Sequence, residues 1–233
     1  MAQFCVFGDS IAKGVVFDAV KKKYVVAKNC CVNLFQSATG FLVKNYSRFG
    51  STVLKGKELL LKYLPELPSY NCVVLEFGGN DCDFRWNEIA AHPDAKHRPN
   101  VDLSVFEQEY GDLIDKIKEQ GAQPVLLNLP PLHVQRFFET ISKDLDADAI
   151  LYWLSGDPSF TYRWQEMYSL AVCRLAMEKQ VPLIDIRRAF LEKIHYEAYL
   201  CEDGMHPTEQ GQQLISDTLY ARWMQAAGVG AAG

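Results

Sequence analysis

With 233 residues, 48% of them hydrophobic and 23% charged, the chain has the composition of one globular domain rather than of a disordered or fibrous protein. A formal net charge of -5 excludes a general binder of nucleic-acid phosphates, which needs a basic excess. No apolar stretch approaches the roughly 20 residues that cross a bilayer, and seven cysteines without a C-x-x-C pair suggest neither a disulfide framework nor a zinc ribbon, so reduced thiols in the cytoplasm are expected.

The chain start lacks the form of a secretory signal, and the mature protein is expected to begin with the sequence. Residues 3–7 form the first predicted strand, an apolar run that Gly8, Asp9 and Ser10 end abruptly. Lys21, Lys22 and Lys23, the single basic run, are expected on a solvated face. Further strands are predicted at 43–48, 72–77, 124–128 and 183–186, each bounded by turn signals, with helices between them. The clearest helix is 106–120, where Tyr110, Leu113, Ile114 and Ile117 recur at i, i+3, i+4 and i+7 and Gly121 supplies a stop. Residues 161–179 and 208–223 share that period, the latter through Leu214, Ile215, Leu219 and Trp223.

Two segments, 82–105 and 130–160, resist assignment and are expected to be binding loops or a lid inserted in a single domain over 1–227. Cys5 and Cys72 fall in predicted strands and are expected to be small core residues. Asn45-Tyr46-Ser47 matches a glycosylation acceptor but falls in a predicted strand. Residues 228–233 match G-x-G-x-x-G letter for letter, yet they follow a helix rather than a strand and read as a flexible tail. The alternation of strands and helices predicts an α/β fold: a mostly parallel five-stranded sheet with helices on both faces.

Four polar breaks carry candidate chemistry. Ser10 sits where a strand gives way to a helix, at the sheet edge where parallel folds bind ligands. It is either a turn serine capping the next helix or a nucleophile, and a nucleophile needs a base held by a third group. Asp203 and His206 are three apart, so one turn or tight loop brings carboxylate and imidazole together and leaves the other ring nitrogen to take a serine proton. Read alone they are an ordinary loop acid and a residue beside a helix cap, and Cys201, Asp203 and His206 offer a third reading as metal ligands. Gly78, Gly79 and Asn80 either make a turn or let amides and an NH2 donor approach an oxyanion. Gly50 ends another predicted strand, where its amide is a second donor or where a helix simply starts.

Taken in order, "GDS", Gly50, "GGND" and D-x-x-H resemble the four blocks of the SGNH family of GDSL-type serine hydrolases. Ile11 stands where the family name has Leu, and Gly40 and Gly56 lie near enough to Gly50 to leave that block the soft one. The resemblance implies a flavodoxin-like three-layer α/β/α sandwich and acyl transfer without a metal or organic cofactor. It implies Ser10 as nucleophile, His206 as base, Asp203 as its orienter, and an oxyanion hole of the Ser10 and Gly50 amides with the Asn80 side chain. The expected substrate is a small-molecule ester, preferably an acetylated saccharide whose rings Phe84, Trp86, Phe137, Phe138, Tyr152 and Trp153 would cover. A thioesterase, a lysophospholipase or a binding module without turnover would keep the same fold. Asp9, Asp81, Phe84 and Trp86 are expected to contact substrate, and Asp81, Asp83 and Arg85, close behind the third block, either reach substrate or form salt-bridged surface. Cys82 and Cys201 are expected near the site.

Overall fold

The computed structural model describes residues 3–18 and 20–226; the tail read at 228–233 lies outside them. Strand β1 (Gln3–Gly8) leads through the one-turn helix α1 (Ser10–Lys13) into a hairpin of β2 (Val15–Asp18) and β3 (Lys23–Val26). Then follow α2 (Cys31–Thr39), β4 (Leu42–Asn45), α3 (Val53–Tyr63), β5 (Cys72–Glu76), α4 (Trp86–Ala91), α5 (Leu103–Glu119) and β6 (Gln123–Leu127). The chain goes on through α6 (Val134–Ile141), α7 (Ala147–Trp153), α8 (Ser159–Glu178), β7 (Leu183–Ile184), α9 (Ile186–Leu191) and α10 (Glu209–Ala226).

The five-stranded sheet has the order β4-β1-β5-β6-β7, every neighbouring pair parallel. The winding reverses between β1 and β5, and this opens a crevice beyond their carboxyl ends. Gly8 is paired with Glu76 there, so whatever follows β1 meets whatever follows β5.

Helices cover both faces, which is why β1 and β5 read as almost unbroken apolar runs. Alternate side chains serve different cores. Cys5, Phe7, Val73 and Leu75 join α5 and α8 on one side, while Val6 and Val74 join Ile11, Phe190 and Ile215 on the other. The stripe expected on α5 is fully buried, and Leu113, Ile114 and Ile117 each contribute about 1.5–3 kcal/mol there.

Several boundaries differ from expectation for local reasons. Strand β4 stops at Asn45, although the Tyr46 and Arg48 amides still donate to Val6 and Gly8 carbonyls at 2.8 and 3.0 Å. Strand β7 stops at Ile184 because Asp185 turns to cap α9, its carboxylate accepting from the Arg188 amide at 3.0 Å. The β2–β3 hairpin was not expected, and the lysine run lies at its turn and the start of β3. The segments 82–105 and 130–160 carry α4, α6 and α7, which pack Phe84, Trp86, Ile89, Phe137, Ile141 and Ile150 into a third apolar core. Asn45, the glycosylation candidate, is committed inward: its amide donates to the Ala12 carbonyl at 2.8 Å and its oxygen accepts from the Ser47 amide at 2.9 Å. Among the described residues no helix is long and apolar enough to cross a membrane.

Candidate active site

Ser10 opens α1 directly beyond β1 and is 6% exposed. The turn that carries it is held from three sides. Asp9 Oδ1 accepts from the Ile11 amide at 2.8 Å. From β5, Glu76 Oε2 accepts from the amides of Asp9 at 3.3 Å and Ala12 at 3.2 Å, and β4 contributes the Asn45 bond to Ala12. Gly14 then ends the helix at φ 80°, where a Cβ would stand 2.1 Å from that of Cys30. Only glycine fits both demands.

Asp203 and His206 lie on a loop closed by the bridge between Leu200 and Pro207 and by the Cys201 amide, which donates to the His206 carbonyl at 2.7 Å. Gly204, at φ 72°, lets this loop press on α6, where a Cβ would come within 2.6 Å of the Phe137 nitrogen. Asp203 Oδ1 accepts from the Met205 and His206 amides at 2.9 and 3.0 Å. Its Oδ2 lies 2.7 Å from His206 Nδ1, and His206 Nε2 lies 2.9 Å from Ser10 Oγ. Burial alone would raise Asp203, but the His206 hydrogen bond and charge, with the two amides, outweigh it and hold the carboxyl below its ordinary value.

Asn80, beyond β5, donates from Nδ2 to Asp9 Oδ2 at 3.0 Å. Asp9, expected as a substrate contact, borders the cavity but spends both carboxylate oxygens on Ile11 and Asn80. Gly50 sits at φ 66° with its carbonyl accepting from Lys55 Nζ at 3.2 Å, and the cavity wall beside it is Phe49.

Asp81 is neither surface nor cavity lining. It is fully buried, and Oδ1 accepts from the Val53 amide at the start of α3 at 2.8 Å while Oδ2 has no partner. Asp83 likewise has no cation, accepting instead from the Phe84 amide and Trp86 Nε1 at 2.9 and 2.8 Å; only Arg85 forms a surface pair, with Glu88. Burial pushes Asp83 up to about 6 and Asp81 up to about 7, the latter against the pull of the Val53 amide. The adjacent carboxyls of Asp9 and Glu76 are both raised by burial, Glu76 well above its ordinary value with the Asp9 charge adding to the effect. Among the described residues Glu76 Oε1 has no hydrogen-bond partner.

Because Asp81 is raised in the folded state, its contribution to stability is full below about pH 4 and is lost as pH rises through about 7. Asp81→Asn keeps an oxygen for Val53 and cannot ionise. Urea midpoints of this variant are expected to vary less between pH 4 and pH 8 than those of the wild type; equal variation would contradict the assignment.

The cavity over Ser10, Asn80 and His206 has a volume of about 290 Å³. Its apolar walls include Leu129, Leu132, Trp164 and Met205, and Cys82 lies among the lining residues. Phe84, Trp86 and Phe137 also border it, but each is at most 9% exposed, because their faces and edges meet one another and Trp153 in edge-to-face pairs. Phe138 and Trp153 pack behind them in the third core, and Tyr152 stands 64% exposed outside the cavity. Cys201 turns its sulfur to the Phe17 amide and the Pro207 carbonyl, away from a shared metal site with Asp203 and His206. Among the described residues no three His, Cys, Asp or Glu side chains are grouped to hold a metal ion.

Sequence reading missed Glu76, Tyr24 and Phe49, which border the cavity together with Asp83, a residue it left open between substrate contact and salt-bridged surface. The one local signal was Glu76, an acid embedded in the apolar run of a central strand.

Hydroxyl, imidazole and carboxylate in series at the carboxyl edge of a parallel sheet is the arrangement of a serine hydrolase. The chain belongs to the GDSL-like Lipase/Acylhydrolase family, whose sequence profile matches residues 6–214, and it is a hydrolase acting on ester bonds. No curated protein matches it in sequence. Among solved structures it is similar to the lipase/acylhydrolase from Enterococcus faecalis, at 19% identity over 97% of both chains with a TM-score of 0.68. It is also similar to TesA, at 19% identity over 94% of this chain and 96% of that one with a TM-score of 0.62. An acetyl xylan esterase, AlAXEase, matches at 19% identity over 94% of this chain and 98% of that one with a TM-score of 0.63. At such identities the likeness concerns the fold.

Proposed function

We propose that the protein hydrolyses carboxylic esters through an acyl-enzyme on Ser10. The carrying observation is the continuous line Ser10 Oγ, His206 Nε2, His206 Nδ1, Asp203 Oδ2, with no separation above 2.9 Å. Ser10 Oγ attacks the ester carbonyl as His206 Nε2 takes its proton, and Asp203 keeps the imidazole oriented and offsets its charge. The oxyanion is received by the Ser10 and Gly50 amides and by the second amide hydrogen of Asn80, whose first is held by Asp9. His206 then protonates the departing alcohol, and a water activated by the same nitrogen cleaves the acyl-enzyme.

The buried packing of Phe84, Trp86 and Phe137 supports an apolar acyl group in the cavity rather than sugar rings stacked on those faces. An acetylated saccharide remains the second reading, supported by the likeness to an acetyl xylan esterase and by Tyr24 and Phe49, 39% and 59% exposed at the cavity mouth where the alcohol would sit. Residues 1–227 act as one domain in this reading, with 82–105 and 130–160 walling the site. The seven cysteines are all free thiols, which supports a reducing, cytoplasmic setting.

A fluorophosphonate probe is expected to label Ser10, and nitrophenyl esters from acetyl to octanoyl to give kcat/KM values that rise beyond acetyl as the apolar walls are filled. Absence of labelling would overturn the triad reading. A preference for acetyl, together with release of acetate from acetylated xylan, would favour the saccharide.

A further inference from the structure

The walls of the cavity over Ser10 differ in exposure. Leu129 and Leu132 are 1% and 7% exposed, whereas Phe49 and Tyr24 are 59% and 39% exposed and mark the mouth. Both rings stand against the imidazole. The Tyr24 ring lies 5.0 Å from the His206 ring at a tilt of 53°, Phe49 lies nearly parallel to it at 6.2 Å and 6°, and the two aromatic rings meet at 5.6 Å and 48°. Among the described residues neither belongs to an apolar core. Each is held from behind. Tyr24 pairs across the β2–β3 hairpin with Phe17, ring edge to face at 5.4 Å, and the Phe17 amide donates to Cys201 Sγ at 3.4 Å, which ties the hairpin to the loop of Asp203 and His206. Phe49 follows Arg48, whose amide donates to the Gly8 carbonyl at 3.0 Å, and precedes Gly50 at φ 66°. The two backbones are fixed while the rings stay largely in water.

We propose that Tyr24 and Phe49 form the subsite for the alcohol portion of the ester, and that this subsite takes an alcohol with a flat apolar ring face, an aromatic ring or the C–H face of a pyranose. The proposal rests on the reading of Ser10, His206 and Asp203 as the triad, since that reading fixes where the alcohol lies. His206 Nε2, 2.9 Å from Ser10 Oγ, returns the proton to the departing oxygen, so that oxygen comes within hydrogen-bond distance of the imidazole. The acyl group occupies the buried part of the cavity. The remainder of the alcohol therefore points to the mouth and lies over the two rings that border the imidazole there. A flat face against an aromatic ring gains about two- to tenfold in binding beyond the area it buries. A flexible chain of equal size offers no such face and gives up rotational freedom when it settles on the rings. Phe84, Trp86 and Phe137 spend their surface on one another, whereas Tyr24 and Phe49 keep surface to offer. Presenting Tyr24 is the part played by a hairpin that pairs with no strand of the main sheet.

The test measures kcat/KM on butanoate esters that share the acyl group and differ in the alcohol: benzyl, hexyl, and the primary-hydroxyl butanoate of methyl glucoside. Wild type, Phe49→Leu and the double variant Phe49→Leu with Tyr24→Leu are compared, with thermal unfolding of each. Any effect on steps common to the esters cancels in the ratio of a ring ester to the hexyl ester. That ratio is expected to fall about two- to tenfold in Phe49→Leu and further in the double variant. A fall for the benzyl ester assigns the subsite to aromatic alcohols, and a fall for the glucoside ester assigns it to sugars. Ratios that stay level or rise for both ring esters would overturn the proposal, and because Phe49 is largely exposed the single variant decides even if the double variant fails to fold. Failure of the wild type to label with a fluorophosphonate would instead strike the triad reading itself, so the two failures are told apart.

Discussion

Ser10→Ala is expected to lower kcat by about 10⁶-fold while leaving thermal unfolding nearly unchanged, because members of a triad act as a unit rather than as independent contributors. The structure separates the two effects. Ser10 Oγ makes its hydrogen bond to His206 Nε2 alone, whereas the turn is held by backbone and side-chain bonds from Asp9, Glu76 and Asn45 that the substitution leaves in place. What survives is the polarising effect of the oxyanion donors and of binding, about 10³- to 10⁴-fold over water. His206→Ala should fall as far, and the double variant no further. Steady-state turnover measured after blocking residual wild type with a fluorophosphonate checks this; a Ser10→Ala enzyme within tenfold of wild type would exclude Ser10 as the attacking group.

The second large loss is expected from Asp203→Asn, about 10⁴-fold in kcat. The two oxygens of Asp203 have different duties. Oδ1 accepts two backbone amides and fixes the loop, while Oδ2 receives the Nδ1 hydrogen of His206. An asparagine that keeps its oxygen on the Met205 and His206 amides must turn its NH2 toward Nδ1. That nitrogen then becomes an acceptor, the ring hydrogen moves to Nε2, and the atom facing Ser10 can no longer take a proton. Loop geometry and stability should change little, so the loss will appear in kcat at neutral pH with labelling of Ser10 slowed in proportion. Retention of wild-type turnover would show that the tautomer is set elsewhere.

Those catalytic candidates could be read from sequence because each lies where an apolar run meets a turn, and such junctions are local. Ser10 and Asn80 follow β1 and β5, and the parallel order of the sheet brings both to one edge. The spacing of Asp203 and His206 allowed a carboxylate–imidazole pair but fitted an ordinary loop as well, and it was the resemblance of the four blocks taken together that gave the two residues their roles. The α5 stripe was legible because its period runs over several turns. Helices α4, α6 and α7, of six to eight residues between prolines and glycines, are too short to display a period. Strand β2, with Val15, Val16 and Phe17 in succession, shows no alternation. Tyr24 and Phe49 could not be foreseen, since what places them on His206 is contact across more than 150 residues of chain. Asp81 was misread as a substrate contact or salt-bridged surface because charge suggests exposure, whereas it is buried and accepts from the Val53 amide at the start of α3.

The acidic lining also bears on how the enzyme empties itself. Asp9 and Asp83 border the cavity with Asp203 just behind His206, and no lysine or arginine is among the described lining residues. A neutral ester enters this field without penalty, but the reaction leaves a carboxylate beside Ser10, and like charges in a cavity of low polarity repel. On the Ser10 reading the acid product is therefore expected to bind weakly, so that adding it at millimolar concentration should inhibit turnover little.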